Sequence, residues 1–252
     1  MRGSLLQSLF KREDKASIQK PADVFPSDGT CEFLNDDGSP RFQGSFASGT
    51  YHGIQKWFDR RGVLREVQTW VNGVKEGEWL LYHANGQLRA RGGFSGGIRN
   101  GSFEVFFENG KQRSKGEHRD DERHGGYISR HENGEVECVG EFFKGKKNGE
   151  WKRYHNNAAI AELGSYRLGE KHGEWFGYSA DGCVIAHELF AYGKLEGCQE
   201  RFYENGVLKN RDMYVDGARN GYQELYSENG KLLRVAFYKK GVMQRTEATR
   251  AP

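Results

Sequence analysis

Nine charged or imidazole side chains crowd one stretch of this 252-residue chain: His118, Arg119, Asp120, Asp121, Glu122, Arg123, His124, Arg130 and His131. Both signs of charge mix there, which suits contact with a charged partner better than bond cleavage. Asp120, Asp121 and Glu122 form an acidic core able to enter the basic groove of a nuclease, and charge pairing of that kind speeds association. Other reactive groups are dispersed. Cys31, Cys138, Cys183 and Cys198 form no CxxC, which points to free thiols in a reducing, cytoplasmic setting. His83, His131 and His155 recur at multiples of 24 residues, as do His52, His124 and His172. Groups at equal phase in neighbouring hairpins stand about 10 Å apart, too far for one ion, so neither metal nor cofactor is expected. There is no GxSxG, P-loop or HExxH pattern, and Glu78, Glu150 and Glu174 share one phase, which marks repetition and not an acid–base pair. The chain reads as a binding protein and not an enzyme.

A glycine frame positions these residues. Gly29, Gly53, Gly77, Gly101, Gly125, Gly149, Gly173, Gly197 and Gly221 recur every 24 residues, giving nine units from Gly29 to Gln244. We count offsets from each leading glycine. Offset two is often aromatic (Trp79, Phe103, Tyr127, Trp151, Trp175), and offset five is aromatic or apolar (Phe58, Tyr82, Tyr154, Tyr178). Offsets eight and nine are Asn-Gly or Asp-Gly, as at Asn85-Gly86 and Asp181-Gly182, which predicts a type I′ turn. Offset 11 is apolar (Leu64, Leu88), offset 17 aromatic (Phe94, Tyr166), and offset 20 a further glycine (Gly97, Gly169). Three fixed glycines per unit leave no amphipathic run of about ten residues, so helix is disfavoured. The expected fold is all-β: an elongated, twisted antiparallel sheet of nine tandem 24-residue β-hairpins, on the order of 85 Å long. Offsets 11 and 17 share parity and are expected on one face. Offset 15, often glycine (Gly92, Gly140, Gly164), leaves room there for rings. Offsets two and five differ in parity, so either they face opposite sides or a bulge intervenes. Tyr154 at offset five is expected in the core.

Composition bounds the rest. With 36% hydrophobic and 29% charged residues and 35 glycines, the chain is too polar for a thick core. A net charge of +3, from 38 basic and 35 acidic side chains, lacks the basic excess of nucleic-acid binders, so no specific nucleic acid is expected. Arg41, Arg65, Arg89 and Arg113 share offset 12 and form either a solvated face or an anion- or partner-binding ridge. Residues 1–28 are read as an N-terminal cap and linker. A short helical segment bearing Leu5, Leu6, Leu9 and Phe10 is expected to cover the first sheet edge, with membrane contact and disorder as the alternatives. Pro21 to Ser27 reads as the linker, 29–244 as the repeats and 245–252 as a polar tail. Self-association through the terminal edge stays open.

The unit, with its GEWxxY start at Gly77 to Tyr82, Asn-Gly turn, apolar-then-aromatic second strand and closing glycine loop, resembles the variant MORN repeat. Classical MORN repeats are β-hairpins in an extended sheet, associated with scaffolding and sometimes with acidic phospholipids. The variant repeats occur in many bacterial proteins of the antitoxin type. The resemblance therefore implies an immunity protein or antitoxin that occludes the active site of a cognate protein toxin. The alternative is a scaffold or membrane-associated adaptor. It brings no catalytic motif. The fourth unit, Gly101 to His124, departs most: Gln112 stands at an apolar position, His118 at an aromatic one and Asp121 at a glycine, and Arg130 follows at offset five. Charge on structural positions marks a worn repeat, a kink in the array or a contact patch, and the run from His118 to His131 is the candidate partner-binding site.

Overall fold

The computed structural model describes residues 24–248, so the helical segment expected around Leu5 to Phe10 lies outside them. The chain divides after Ile98 into two compact units. Each is an open antiparallel sheet of repeating hairpins. One hairpin of the second unit serves as the example. Strands Lys146–Tyr154 and Ile160–Arg167 pair with Gly149 opposite Tyr166, Trp151 opposite Gly164 and Tyr154 opposite Ile160.

The turns differ from expectation. At Asn85-Gly86 only the glycine has positive φ, 81°. The Gly86 amide donates to the His83 carbonyl at 3.0 Å and the His83 amide to the Gln87 carbonyl at 2.8 Å. That is a three-residue loop, a type I turn followed by a left-handed glycine, and not type I′. Two consecutive positive φ angles occur instead at offsets 19 and 20: Asn72 and Gly73 at 48° and 79°, Asp120 and Asp121 at 52° and 65°, Leu168 and Gly169 at 51° and 96°. This pair is a type I′ turn, whose backbone twist matches the right-handed twist of the strands it joins from one repeat to the next.

A bulge resolves the parity of offsets two and five. Arg153 faces Glu162 but Tyr154 faces Ile160, leaving Ala161 as the extra residue. The same shift leaves out Arg89 between Leu81 and Tyr82, and Arg113 between Val105 and Phe106. Offset 12 is thus the bulged position. Arg41, Arg65 and Arg89 are half-buried there, and only Arg113 of the four is exposed, so no open ridge forms. The extra residue also overturns the expectation for offsets 11 and 17. Offset 11 pairs with offset five, one step from the offset 4–13 pair, and the two sets face opposite sides. Tyr154 is accordingly half-buried on the far side and is not a core residue.

The core face pairs a ring with a missing side chain. Trp151 lies opposite Gly164, Trp79 opposite Gly92 and Phe103 opposite Gly116. A Cβ on Gly92 would stand 2.9 Å from Trp79 Cζ2, and one on Gly164 would overlap the Trp175 ring of the next hairpin. Glycine at offset 15 lets each ring lie flat, and Trp175 is 2% exposed. A second layer went unread in the sequence. At offset 22 a cation stands between rings. Lys171 Nζ lies 3.8 Å from the Trp175 ring centroid and 5.1 Å from that of Phe190; Lys147 Nζ lies 4.0 Å from Trp151 and 4.8 Å from Tyr166. Burial lowers the pKa of Lys147, and Glu162 holds Lys171 at 2.8 Å. Desolvated contacts of this kind contribute about 2 kcal/mol.

Residues 25–70 of the first unit pack differently. Phe25, Phe33, Phe42, Phe46, Tyr51, Trp57 and Trp70 form one ring cluster. Phe25 comes from the stretch read as a linker and packs 5.2 Å from both Phe33 and Phe46. In the second unit, strand Val242–Ala248 runs past Gln244 into the segment read as a tail.

Candidate functional site

The run from His118 to His131 folds as the end of strand Gln112–Arg119, a tight turn and strand Glu122–Arg130. Strand alternation sorts its side chains into different environments. His118 takes the ring position at offset 17, is 7% exposed and lies 4.5 Å from the Phe103 ring. Burial first, then the charges of Arg99 and Arg123, push its pKa down to about 4, so it is neutral at pH 7. Arg123 takes the cation position, 5.0 Å from Phe142 and 5.4 Å from Tyr127. Burial lowers its pKa as well. Both side chains hold the sheet.

Asp121 replaces a turn glycine and keeps that glycine's bond. Its amide donates to the Arg99 carbonyl at 3.1 Å, as Gly145 does to Arg123 at 2.9 Å. Its carboxylate accepts from the Arg99 amide at 3.0 Å and from Arg99 Nε at 2.9 Å. Burial alone would raise its pKa, but the bonds and charge of Arg99 pull it below the usual range. Arg130 donates to the Gly134 carbonyl at 3.2 Å. The His124 ring packs 5.4 Å from that of Phe143. His131 Nε2 lies 3.0 Å from the Tyr154 carbonyl, His155 Nε2 2.9 Å from the Tyr178 carbonyl, and the Tyr203 hydroxyl donates to the Tyr226 carbonyl at 2.9 Å. In these three repeats offset six ties one repeat to the next, which accounts for the phase of His131 and His155. Among the described residues no group of three His, Cys, Asp or Glu side chains could hold a metal ion. Arg119, Asp120 and Glu122 remain exposed at the turn.

The sequence reading missed the face opposite the rings, built from offsets one, three, 14 and 16. Lys115 pairs with Ile128, Ile128 with Val139, Gly126 with Glu141, Phe176 with His187 and Tyr222 with Phe237. This face changes from unit to unit. Offset three alone reads Glu32, Lys56, Leu80, Glu104, Ile128, Lys152, Phe176, Glu200 and Glu224. The only signal in the sequence was lack of pattern at a fixed phase.

Among the described residues no helix is long and apolar enough to cross a membrane. Segments 51–72, 75–94, 195–216 and 219–240 match the MORN repeat variant family. No curated protein matches the chain. Several solved structures resemble it weakly. The crystal structure of TcdB2-TccC3-Cdc42 is 10% identical over 84% of this chain and 14% of that one, with a TM-score of 0.22. That of TcdB2-TccC3 is 11% identical over 88% and 15%, also at 0.22. The Photorhabdus luminescens Tc holotoxin pore is 13% identical over 84% and 13%, again at 0.22. This chain thus spans only 13–15% of the length of those chains. The matched segments and the hairpin architecture together make this a MORN-repeat-like all-β protein.

Proposed function

We propose that this chain is a protein-interaction module that binds and neutralises a cognate bacterial toxin by covering its active site, as an immunity protein or antitoxin of the cytoplasm. One observation carries the reading: a constant frame presents a face that does not repeat. A ligand that is itself repetitive, such as a lipid surface, is served by the same residue at the same phase in each unit. A single folded partner has no 24-residue period, and it is served by a surface whose anchors differ along its length. Glu104, Ile128, Lys152 and Phe176 in successive units are such a surface. The charged run from His118 to His131 serves the same reading in two ways. His118, Asp121, Arg123 and His131 stiffen the hairpins, and exposed Arg119, Asp120 and Glu122 steer the encounter. The test is affinity capture from native-host lysate at moderate salt, followed by expression of the captured protein alone. A stoichiometric partner that kills the host, and is rescued by this chain, supports the reading. A host that grows normally without this chain, with the toxin present and active, overturns it.

A second observation favours the adaptor alternative. Four successive turns each expose an apolar residue at offset 18 or 19: Phe143, Leu168 at 55%, Tyr192 at 60% and Val215. Lys144 and Arg167 flank them. Rings and cations in a row suit an anionic membrane surface. Sedimentation with anionic vesicles at low salt, lost in Leu168→Ser/Tyr192→Ser, would favour it over the toxin reading.

A further inference from the structure

Gly126 stands on the non-repeating face without a reason in the fold. The frame glycines have one: Gly125 takes φ 73°, and a ring occupies the place of a Cβ at Gly116 and Gly140. Gly126 is not left-handed, and a Cβ there would meet nothing within 4 Å. The same phase in neighbouring units carries Ser102, Glu150 and Glu174. The effect of glycine at 126 is to open the floor of a concavity of ≈ 630 Å³. One wall is the cross-strand row Lys115, Ile128 and Val139. Across the floor stand Glu117 and Glu141, the cross-strand partner of Gly126, with Glu150 beyond. Lys115 is the only cation lining it, and Glu150 is also held by Lys152 at 2.8 Å.

We propose that this concavity receives an arginine side chain of the protein partner, with its guanidinium between Glu117 and Glu141 and its aliphatic stem along Ile128 and Val139. The proposal rests on the reading of the chain as a binder of one protein. The chemistry selects arginine. An apolar wall beside an acidic one matches a long stem with a charged end. The planar, weakly hydrated guanidinium bonds carboxylates in two-pronged fashion, which a strongly hydrated ammonium does not. Arginine is also among the residues enriched at interface anchors.

The experiment uses the full chain, ¹⁵N-labelled, titrated at low salt with the methylamides of N-acetyl-arginine, N-acetyl-lysine and N-acetyl-norleucine. The arginine compound is expected to move the Gly126, Ile128 and Glu141 amides to saturation in the millimolar range, with the norleucine compound silent. Gly126→Leu should weaken the arginine compound by about tenfold or more. Gly126→Ala should leave the unfolding midpoint unchanged or raised, because its methyl enters open space. Glu141→Gln should weaken binding while leaving the fold intact. No saturating shift, equal binding of the lysine compound, or unchanged binding in Gly126→Leu would each overturn the proposal. A captured toxin whose affinity ignores Gly126→Leu would sink this site and leave the toxin reading standing. Arginine binding with no toxin found would do the reverse.

Discussion

Two regions of the molecule fill the same place in the repeat with different chemistry. In the hairpins around Trp151 and Trp175, a large ring lies over a glycine and a lysine stands against the ring. In the hairpin of strands Gly53–Phe58 and Leu64–Val71 the same cross-strand position holds Gln55 opposite Gln68, both 0% exposed, and the cation position is Tyr51. Ring plus nothing and two medium side chains occupy similar volume. The frame therefore specifies where a side chain points and how much space it has, and leaves its chemistry open. The energetic outcome differs. Gln55 Nε2 donates to the Ser45 and His52 carbonyls at 2.7 and 3.2 Å, and Gln68 Nε2 to the Thr69 carbonyl at 2.8 Å. The Oε1 atoms of both are buried without a hydrogen-bond partner, a cost of about 1–3 kcal/mol each.

The sharpest way to break this comparison is to remove the ring. Trp175→Ala should cost about 3–5 kcal/mol in urea unfolding, against about 1–3 kcal/mol for Gln55→Ala. Equal costs would mean that the two fillings are energetically alike. Next comes His118, which occupies a ring position with a titratable ring. Its unfolded pKa is near 6.5 and its folded one about 4, so between those values the unfolded chain binds more protons. Stability from this site is whole above about pH 6.5 and falls as pH drops towards 4, by roughly 3 kcal/mol. His118→Phe should flatten the unfolding midpoint across that window; an unchanged slope would place the acid loss elsewhere. Gly164→Ala, which drives a methyl into the Trp175 ring, should cost about 1–3 kcal/mol. Lys171→Met keeps the stem and removes the charge over Trp175, for a loss of about 0.5–2 kcal/mol. A neutral Lys171→Met would reduce that contact to packing alone.

The hairpins were legible because backbone demand repeats: a left-handed position every 24 residues needs glycine whatever surrounds it. The bulge was not legible, because its extra residue is Arg89 in one unit, Ala161 in another and Glu137 in a third, and any side chain serves. The type I′ pair was hidden for a related reason. Only its second residue is regularly glycine, and Leu168 or Tyr192 takes the first left-handed position. Basic residues at offset 22 were visible, but a lysine ordinarily reads as solvated. In the candidate site the charges were evident and their orientation was not. His118 and Arg123 turn inwards while Asp120 and Glu122 turn out, and the parity that decides this depends on where the two-residue turn falls.

A lysine held against rings is also withheld from reagents. Lys144, Lys146, Lys194 and Lys240 are exposed, whereas Lys147 and Lys171 are half-buried against Trp151 and Trp175. An amine-reactive label should mark the first group at once. It should reach the second only when its own hairpin loosens. The labelling delay at Lys147 against that at Lys171 then times the opening of two neighbouring repeats separately, within a single unmodified chain.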